Sequence, residues 1–216
     1  TQELTAEVWV YMEKDPDRVN AFVELNNTGF APLSFRPFSF QDRNDLFYGI
    51  ITESSQSRGF SIANASLRPF STESNWYGQI NHLVFVKDGL NSGKLYLNGA
   101  IVPATVSSAQ LQPSDTIVFN QITNLIDSFG SIEYATDCII YASRVYTKAL
   151  NAAEVEEAFT SALPPVGTRS DLLFDWRYND KGSKVFDLSS NNRHGELINV
   201  SNINDVWVDE KGNKVK

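Results

Sequence analysis

At 216 residues, 42% apolar and 12% aromatic, the chain has enough hydrophobic mass for one substantial core, and a charged fraction of 20% is too low for a disordered or coiled-coil protein. A net charge of −8 leaves no basic surface to release counterions from nucleic acid or to hold an anionic membrane. No run approaches the roughly 18 consecutive apolar residues of a membrane span, and Cys138, the lone cysteine, excludes an internal disulfide framework. The start, Thr1-Gln2-Glu3, has neither the basic nor the apolar region of a signal peptide and reads as a processed or excised piece.

Leu4 to Met12 is the first predicted strand, with Val8 and Val10 on one face, Trp9 and Tyr11 on the other, and both faces apolar enough for burial. Asp15-Pro16-Asp17 turns the chain into an alternating stretch from Val19 to Leu25, closed by Asn26-Asn27-Thr28-Gly29. Between Gly29 and Phe70, short apolar pieces (Phe38 to Phe40, Leu46 to Ile51, Gly59 to Ile62) alternate with polar residues, as expected of short strands carrying exposed loops. Next comes a hairpin. Leu83 to Val86 and Leu95 to Leu97 are separated by Asp88-Gly89 and Ser92-Gly93, and a tight turn follows at Asn98-Gly99; these residue types tolerate positive φ.

Ala100 to Val106, Thr116 to Gln121 and Ile132 to Tyr146 read as further strands, and Cys138 within the last is expected to be a small buried hydrophobe. One helix is predicted. Asn151 caps its first turn, Glu154 three residues on completes a capping box, Val155 and Phe159 share the face that packs down, and Pro164-Pro165 with Gly167 ends it.

Three segments carry a family resemblance. Trp76-Tyr77 through Asn98-Gly99, and Ile132 through Val155, resemble in order two stretches of the laminin-G-like and pentraxin-like group of concanavalin-A-type domains. The third, from Leu172 through Trp176, Asp187 and Asn191 to Asn199, resembles the segment that ordinarily opens such a domain, yet here it comes last. The resemblance implies an all-β antiparallel sandwich of jelly-roll type with one short helix near 151–162. It also implies a single domain over 1–216 in which 171–216 supply the opening strands; the alternative is a sandwich over 1–165 followed by the start of a second module at 166–216.

Such sandwiches host lectins, adhesins and glycosidases, so chemistry has to be read from residues. Glycosidases of this type need carboxylates alternating along one strand, roughly 5 Å apart. Glu133 and Asp137 share strand parity but lack a third carboxylate, and Glu154, Glu156 and Glu157 fall on the helix, so no glycosidase constellation is written. Two histidines, His82 and His194, are too few for a His-rich zinc site. The resemblance implies calcium as a cofactor, held by Asp187, Asn191 and Asn192 with Asp137 completing the shell; the same loop could instead be closed by Asx turns.

Sugar rings stack on exposed aromatic faces flanked by polar side chains. Two sets fit: Trp76 and Tyr77 after Asn75, read as borne on a loop, and Tyr48 near Arg43 and Asp45, whereas Trp9 and Trp176 are expected in the core. The expected function is a non-catalytic recognition or adhesion module, outside the cytoplasm or on a virion, binding carbohydrate or a surface glycoprotein, without nucleic acid or membrane insertion. The alternatives are a structural module contacting other protein modules of a larger surface or virion assembly, and a degenerate glycoside hydrolase.

Overall fold

A computed structural model describes residues 3–12, 21–22, 34–41, 46–52, 59–64, 78–90, 92–103, 105–109, 125–126, 132–133, 138–178 and 182–197. In chain order the strands are β1 (Glu3–Met12), β2 (Ala21–Phe22), β3 (Ser34–Gln41), β4 (Leu46–Thr52), β5 (Gly59–Asn64), β6 (Ile80–Gly89), β7 (Ser92–Leu97) and β8 (Ala100–Val102). They continue with β9 (Thr105–Ala109), β10 (Leu125–Ile126), β11 (Ile132–Glu133) and β12 (Cys138–Tyr146). After the helix α1 (Ala152–Ser161) come β13 (Leu172–Arg177), β14 (Lys184–Val185) and β15 (Gly195–Glu196).

Two antiparallel sheets dominate. One has the order β13-β12-β1-β6-β7-β8 and the other β2-β3-β4-β5-β9; β10-β11 and β14-β15 are small separate pairs. The sheets approach one another where β3 nears β6 and where β5 and β9 near β7, giving the expected sandwich.

β1 sits centrally in the larger sheet, and its alternation sets both faces. Leu4, Ala6, Val8 and Val10 share one face with Leu83, Phe85 and Leu95 by register, and all are buried. The other face carries Thr5, Glu7 and Trp9. There Val84, Val86, Tyr96, Tyr146 and Leu172 pack with Leu150 and Val155 beneath α1, which leaves the Val8 face for the smaller sheet.

The hairpin forms as its turn residues dictate. β6 and β7 pair from Leu83↔Leu97 onward, and Asn98 and Gly99 adopt φ of 50° and 79°, the left-handed pair that a two-residue turn between right-twisted strands requires. The capping box also forms: Asn151 Oδ1 accepts the Glu154 N–H at 3.0 Å, and a Glu154 carboxylate oxygen accepts the Asn151 N–H at 2.9 Å. The helix ends at Ala162 in the left-handed conformation, just before the two prolines.

Two expected strands divide. The run from Ala100 to Val106 breaks at Pro103, which has no N–H to donate, so β8 edges one sheet and β9 joins the other. Ile132 to Tyr146 contributes β11 and β12 to different sheets. The expected strand over Thr116 to Gln121 lies outside the described residues.

β13 occupies the edge of the larger sheet, beside β12, with Val145 opposite Phe174 and Arg144 opposite Asp175. The segment whose pattern ordinarily opens such a domain thus pairs with the strand that precedes the helix.

Candidate functional site

Register places three charged residues side by side on the helix-covered face. Glu7 on β1 faces Arg144 on β12, and Arg144 faces Asp175 on β13. Arg144 Nε donates to Asp175 Oδ1 at 2.9 Å, its Nη1 donates to Glu7 Oε1, and its Nη2 donates to the Ala162 carbonyl at 2.7 Å. One guanidinium therefore joins three strands and satisfies a carbonyl at the C-terminal end of α1. Tyr146 donates its hydroxyl to Glu7 Oε2 at 3.1 Å and Trp9 Nε1 donates to Oε1 at 3.3 Å.

Burial alone would raise the Glu7 pKa, but the Arg144 charge, nearby His82 and the Tyr146 hydroxyl bring it down to about 2. Burial beside the Glu7 carboxylate pushes the Tyr146 phenol up. Glu7 and Arg144 are 2% and 1% exposed and fully engaged, so these groups hold the sheet together rather than meet substrate.

Above them lies an aromatic stack. His82 is fully buried with its ring 4.4 Å from Trp9 and 5.9 Å from Phe159 of α1, all nearly parallel. Its Nε2 is 3.4 Å from Glu7 Oε1 without the alignment of a hydrogen bond. The stack makes His82 a packing residue.

The loop from Phe186 to His194 folds back on β13. Asp187 Oδ1 accepts the N–H groups of Asp175 at 2.8 Å and Ser189 at 2.9 Å; Oδ2 accepts the Ser189 hydroxyl at 2.8 Å and the Arg193 N–H at 2.9 Å. Burial would raise its pKa, and these four donors outweigh it and hold the carboxyl below the usual range. Asn191 Nδ2 donates to the carbonyls of Leu172 at 2.6 Å and Leu173 at 3.3 Å, and Asn192 takes a φ of 54°.

The structure thus brings Asp187, Asn191 and Asn192 into one loop, where the first two close the edge of β13. A calcium ion there would have to displace four donors already directed at the carboxylate, and two of the carbonyls beside it already accept the Asn191 amide. Among the described residues no group of three His, Cys, Asp or Glu side chains is arranged to hold a metal. The fourth expected ligand, Asp137, lies outside the described residues.

Of the expected sugar-binding residues, Tyr48 lies on β4, a central strand of the smaller sheet, and its side chain is outside the described set. Trp76, Tyr77, Asn75, Arg43 and Asp45 also lie outside the described residues. Trp9 and Trp176 are half-buried rather than core: Trp176 stacks on Phe174 at 4.4 Å, lies against Gly195, and donates its indole N–H to the Arg193 carbonyl at 2.6 Å.

Sequence reasoning missed the Glu7–Arg144–Asp175 network and the outward row of Phe186 and Leu188, which are 48% and 64% exposed. A charged residue inside the apolar run of β1 was the available signal for the first. The alternation Val185, Phe186, Asp187, Leu188 was the signal for the second.

No curated protein matches the chain in sequence. A family model of laminin-G type, described as the concanavalin A-like lectin/glucanases superfamily, matches residues 1–156. The chain is similar in fold to a Bacteroides ovatus protein of proposed carbohydrate-binding function (TM-score 0.56, 12% identity), covering 90% of this chain and 51% of that one. It is also similar to the binding domain of botulinum neurotoxin serotype D (TM-score 0.52, 10% identity, 75% and 36% covered). The ligand-binding domain of that serotype in complex with N-acetylneuraminic acid gives a TM-score of 0.50 at 13% identity, with 74% and 37% covered. At these identities the likeness concerns the fold, and the chain spans about half or less of the length of each of those structures.

Proposed function

The chain belongs to the concanavalin A-like lectin/glucanases superfamily, whose laminin-G-type model spans residues 1–156, and from that membership we propose that it is a non-catalytic carbohydrate-binding module. The observation that carries this reading is the likeness over 90% of the chain to a protein of proposed carbohydrate-binding function. The complex of a similar fold with N-acetylneuraminic acid supports it. Trp76 and Tyr77 with Asn75, and Tyr48 with Arg43 and Asp45, are the side chains proposed to meet sugar, since each set joins an aromatic face to hydrogen-bonding groups. The buried carboxylates Glu7 and Asp175 are bound to Arg144, which argues against their use as a glycosidase pair.

The proposed location is extracellular or on a cell or virion surface. A glycan array, run with and without chelator, tests the reading: retention of at least one glycan, weakened by Trp76→Ala or Tyr48→Ala, is the expected result. Failure to retain any glycan under either condition overturns it. Such a failure would favour a protein-contact module, a reading supported by the exposed apolar side chains of Leu163 and Val166 after the helix.

A further inference from the structure

We propose that Asn98 is a gated deamidation site: the closed turn spares its side-chain amide, and opening of the turn exposes it to conversion into isoaspartate, which loosens α1 irreversibly. Asn98-Gly99 is the one Asn-Gly step in the chain. Glycine after asparagine is the pairing most open to this chemistry, because a residue without Cβ lets its own backbone nitrogen approach the preceding side chain.

The reaction consumes only water. The Gly99 nitrogen attacks Asn98 Cγ and forms the new N–C bond of a five-membered imide, the Gly99 N–H proton passes to Nδ2, and the Cγ–Nδ2 bond breaks to release ammonia. Water then adds to one of the imide carbonyls and breaks its bond to the ring nitrogen. Opening at Cγ leaves aspartate. Opening at the backbone carbonyl leaves isoaspartate, whose main chain runs through Cβ and is longer by one atom.

The folded turn opposes the first step. Asn98 Oδ1 accepts the His82 N–H at 2.8 Å, its Nδ2 donates to Asn81 Oδ1 at 3.3 Å, and its own N–H donates to the His82 carbonyl at 2.8 Å. The side chain thus supplies the acceptor for the last rung between β6 and the turn, and ring closure has to release Nδ2 from Asn81. Imide formation also takes ψ of Asn98 out of the left-handed region in which the turn holds it, at a φ of 50°. Closure therefore waits on local opening of the hairpin end.

The isoaspartate product cannot rebuild the turn. Residues 98 and 99, with φ of 50° and 79°, match β7 to β8 in a two-residue connection, and an added main-chain atom breaks that match. Gly99 also lies so close to α1 that a Cβ on it would stand 2.9 Å from Phe159 Cδ1. A longer turn presses on Phe159, which stacks with Trp9 and His82, so a transient opening becomes a lasting change in how the helix is seated.

The test follows the full chain by mass spectrometry at mildly alkaline pH, folded and in denaturant, with isoaspartate separated from aspartate in the peptide that contains Asn98. The amide is expected to be lost in denaturant, and in the folded chain to be lost more slowly by on the order of ten-fold or more. Phe159→Ala, which frees Gly99 and leaves the Asn98 partners in place, is expected to speed the loss several-fold in the folded chain and to leave the denatured rate unchanged. The purified isoaspartate form is expected to unfold at lower denaturant than the parent, with Asn98→Asp, which keeps the length of the turn, nearer the parent. Equal rates folded and denatured would overturn the gating. Equal folded rates for the parent and Phe159→Ala, or an isoaspartate form of unchanged stability, would overturn the link to α1.

Discussion

The Asp187 carboxylate accepts the backbone N–H of Asp175 at 2.8 Å, and the N–H of Leu188 donates to the Asp175 carbonyl at 2.8 Å. One side chain and one peptide thus take the positions that a neighbouring strand would fill along the outer edge of β13, and Asn191 covers the carbonyls of Leu172 and Leu173. An uncovered edge strand invites pairing with other chains, so the clasp has a protective as well as a stabilising role. Asp187→Ala strands the buried Asp175 N–H and frees the loop, and is expected to cost about 3 kcal/mol. Asp187→Asn, which keeps the Oδ1 acceptor and loses the one facing Arg193 and the Ser189 hydroxyl, is expected to cost about 1 kcal/mol. Denaturant unfolding measures both, and equal losses for the two variants would show that Oδ1 carries no special weight.

Calcium and these four donors compete for the same lone pairs. Because the donors are internal and already aligned, the melting temperature is expected to stay unchanged when chelator replaces millimolar calcium. A ligand present at about 100 times its dissociation constant would stabilise the fold by about 2.7 kcal/mol, a rise easily read by calorimetry. A rise of that size, abolished by Asp187→Asn, would establish a metal at the loop.

Glu7 takes its proton at about 2 in the folded chain, against an ordinary value of 4.5. Between those values the unfolded chain binds the additional proton, so this carboxylate's contribution is complete above 4.5 and is lost as pH falls toward 2. The contribution is about 3 kcal/mol. Asp187, also depressed, works in the same direction. Glu7→Gln, which leaves the buried Arg144 with one carboxylate, is expected to lower stability at neutral pH by about 3 kcal/mol. It should also flatten the loss seen between about pH 5 and pH 2 in denaturant titrations. A mutant with the same acid slope as the parent would locate the titration elsewhere.

What was legible in the sequence was local. The capping box at Asn151 and Glu154 and the turn at Asn98-Gly99 are set by residues within three positions of one another, so residue type nearly fixes geometry. Glu7 and Arg144 are 137 positions apart, and only the register of β1 on β12 brings them together. The Asp187 loop was half-legible for a different reason. A carboxylate and a nearby amide are the residue types needed both by a hard cation and by a turn, and the direction of the neighbouring N–H groups, which composition does not carry, distinguishes them. Trp76 and Tyr77 were selected for chemistry alone, because a side chain's exposure depends on tertiary placement that residue type does not carry.

Gly99 couples the hairpin turn to the helix. Its φ of 79° is a left-handed conformation, and a Cβ there would lie 2.9 Å from Phe159 Cδ1 and 3.3 Å from Phe159 Cβ and Cγ. Gly99→Ala therefore meets two penalties, about 1 kcal/mol for the backbone and a similar amount for displacing Phe159, for a total of about 2 kcal/mol. Since Phe159 stacks on Trp9, its displacement should also red-shift the tryptophan emission. The two penalties separate in a double-mutant cycle: in a Phe159→Ala background the clash is gone, so Gly99→Ala should cost only the backbone part, a coupling of about 1 kcal/mol. If Gly99→Ala costs the same in both backgrounds, Phe159 does not press on the turn, and the helix is held instead by Val155 and the Arg144 bond to Ala162.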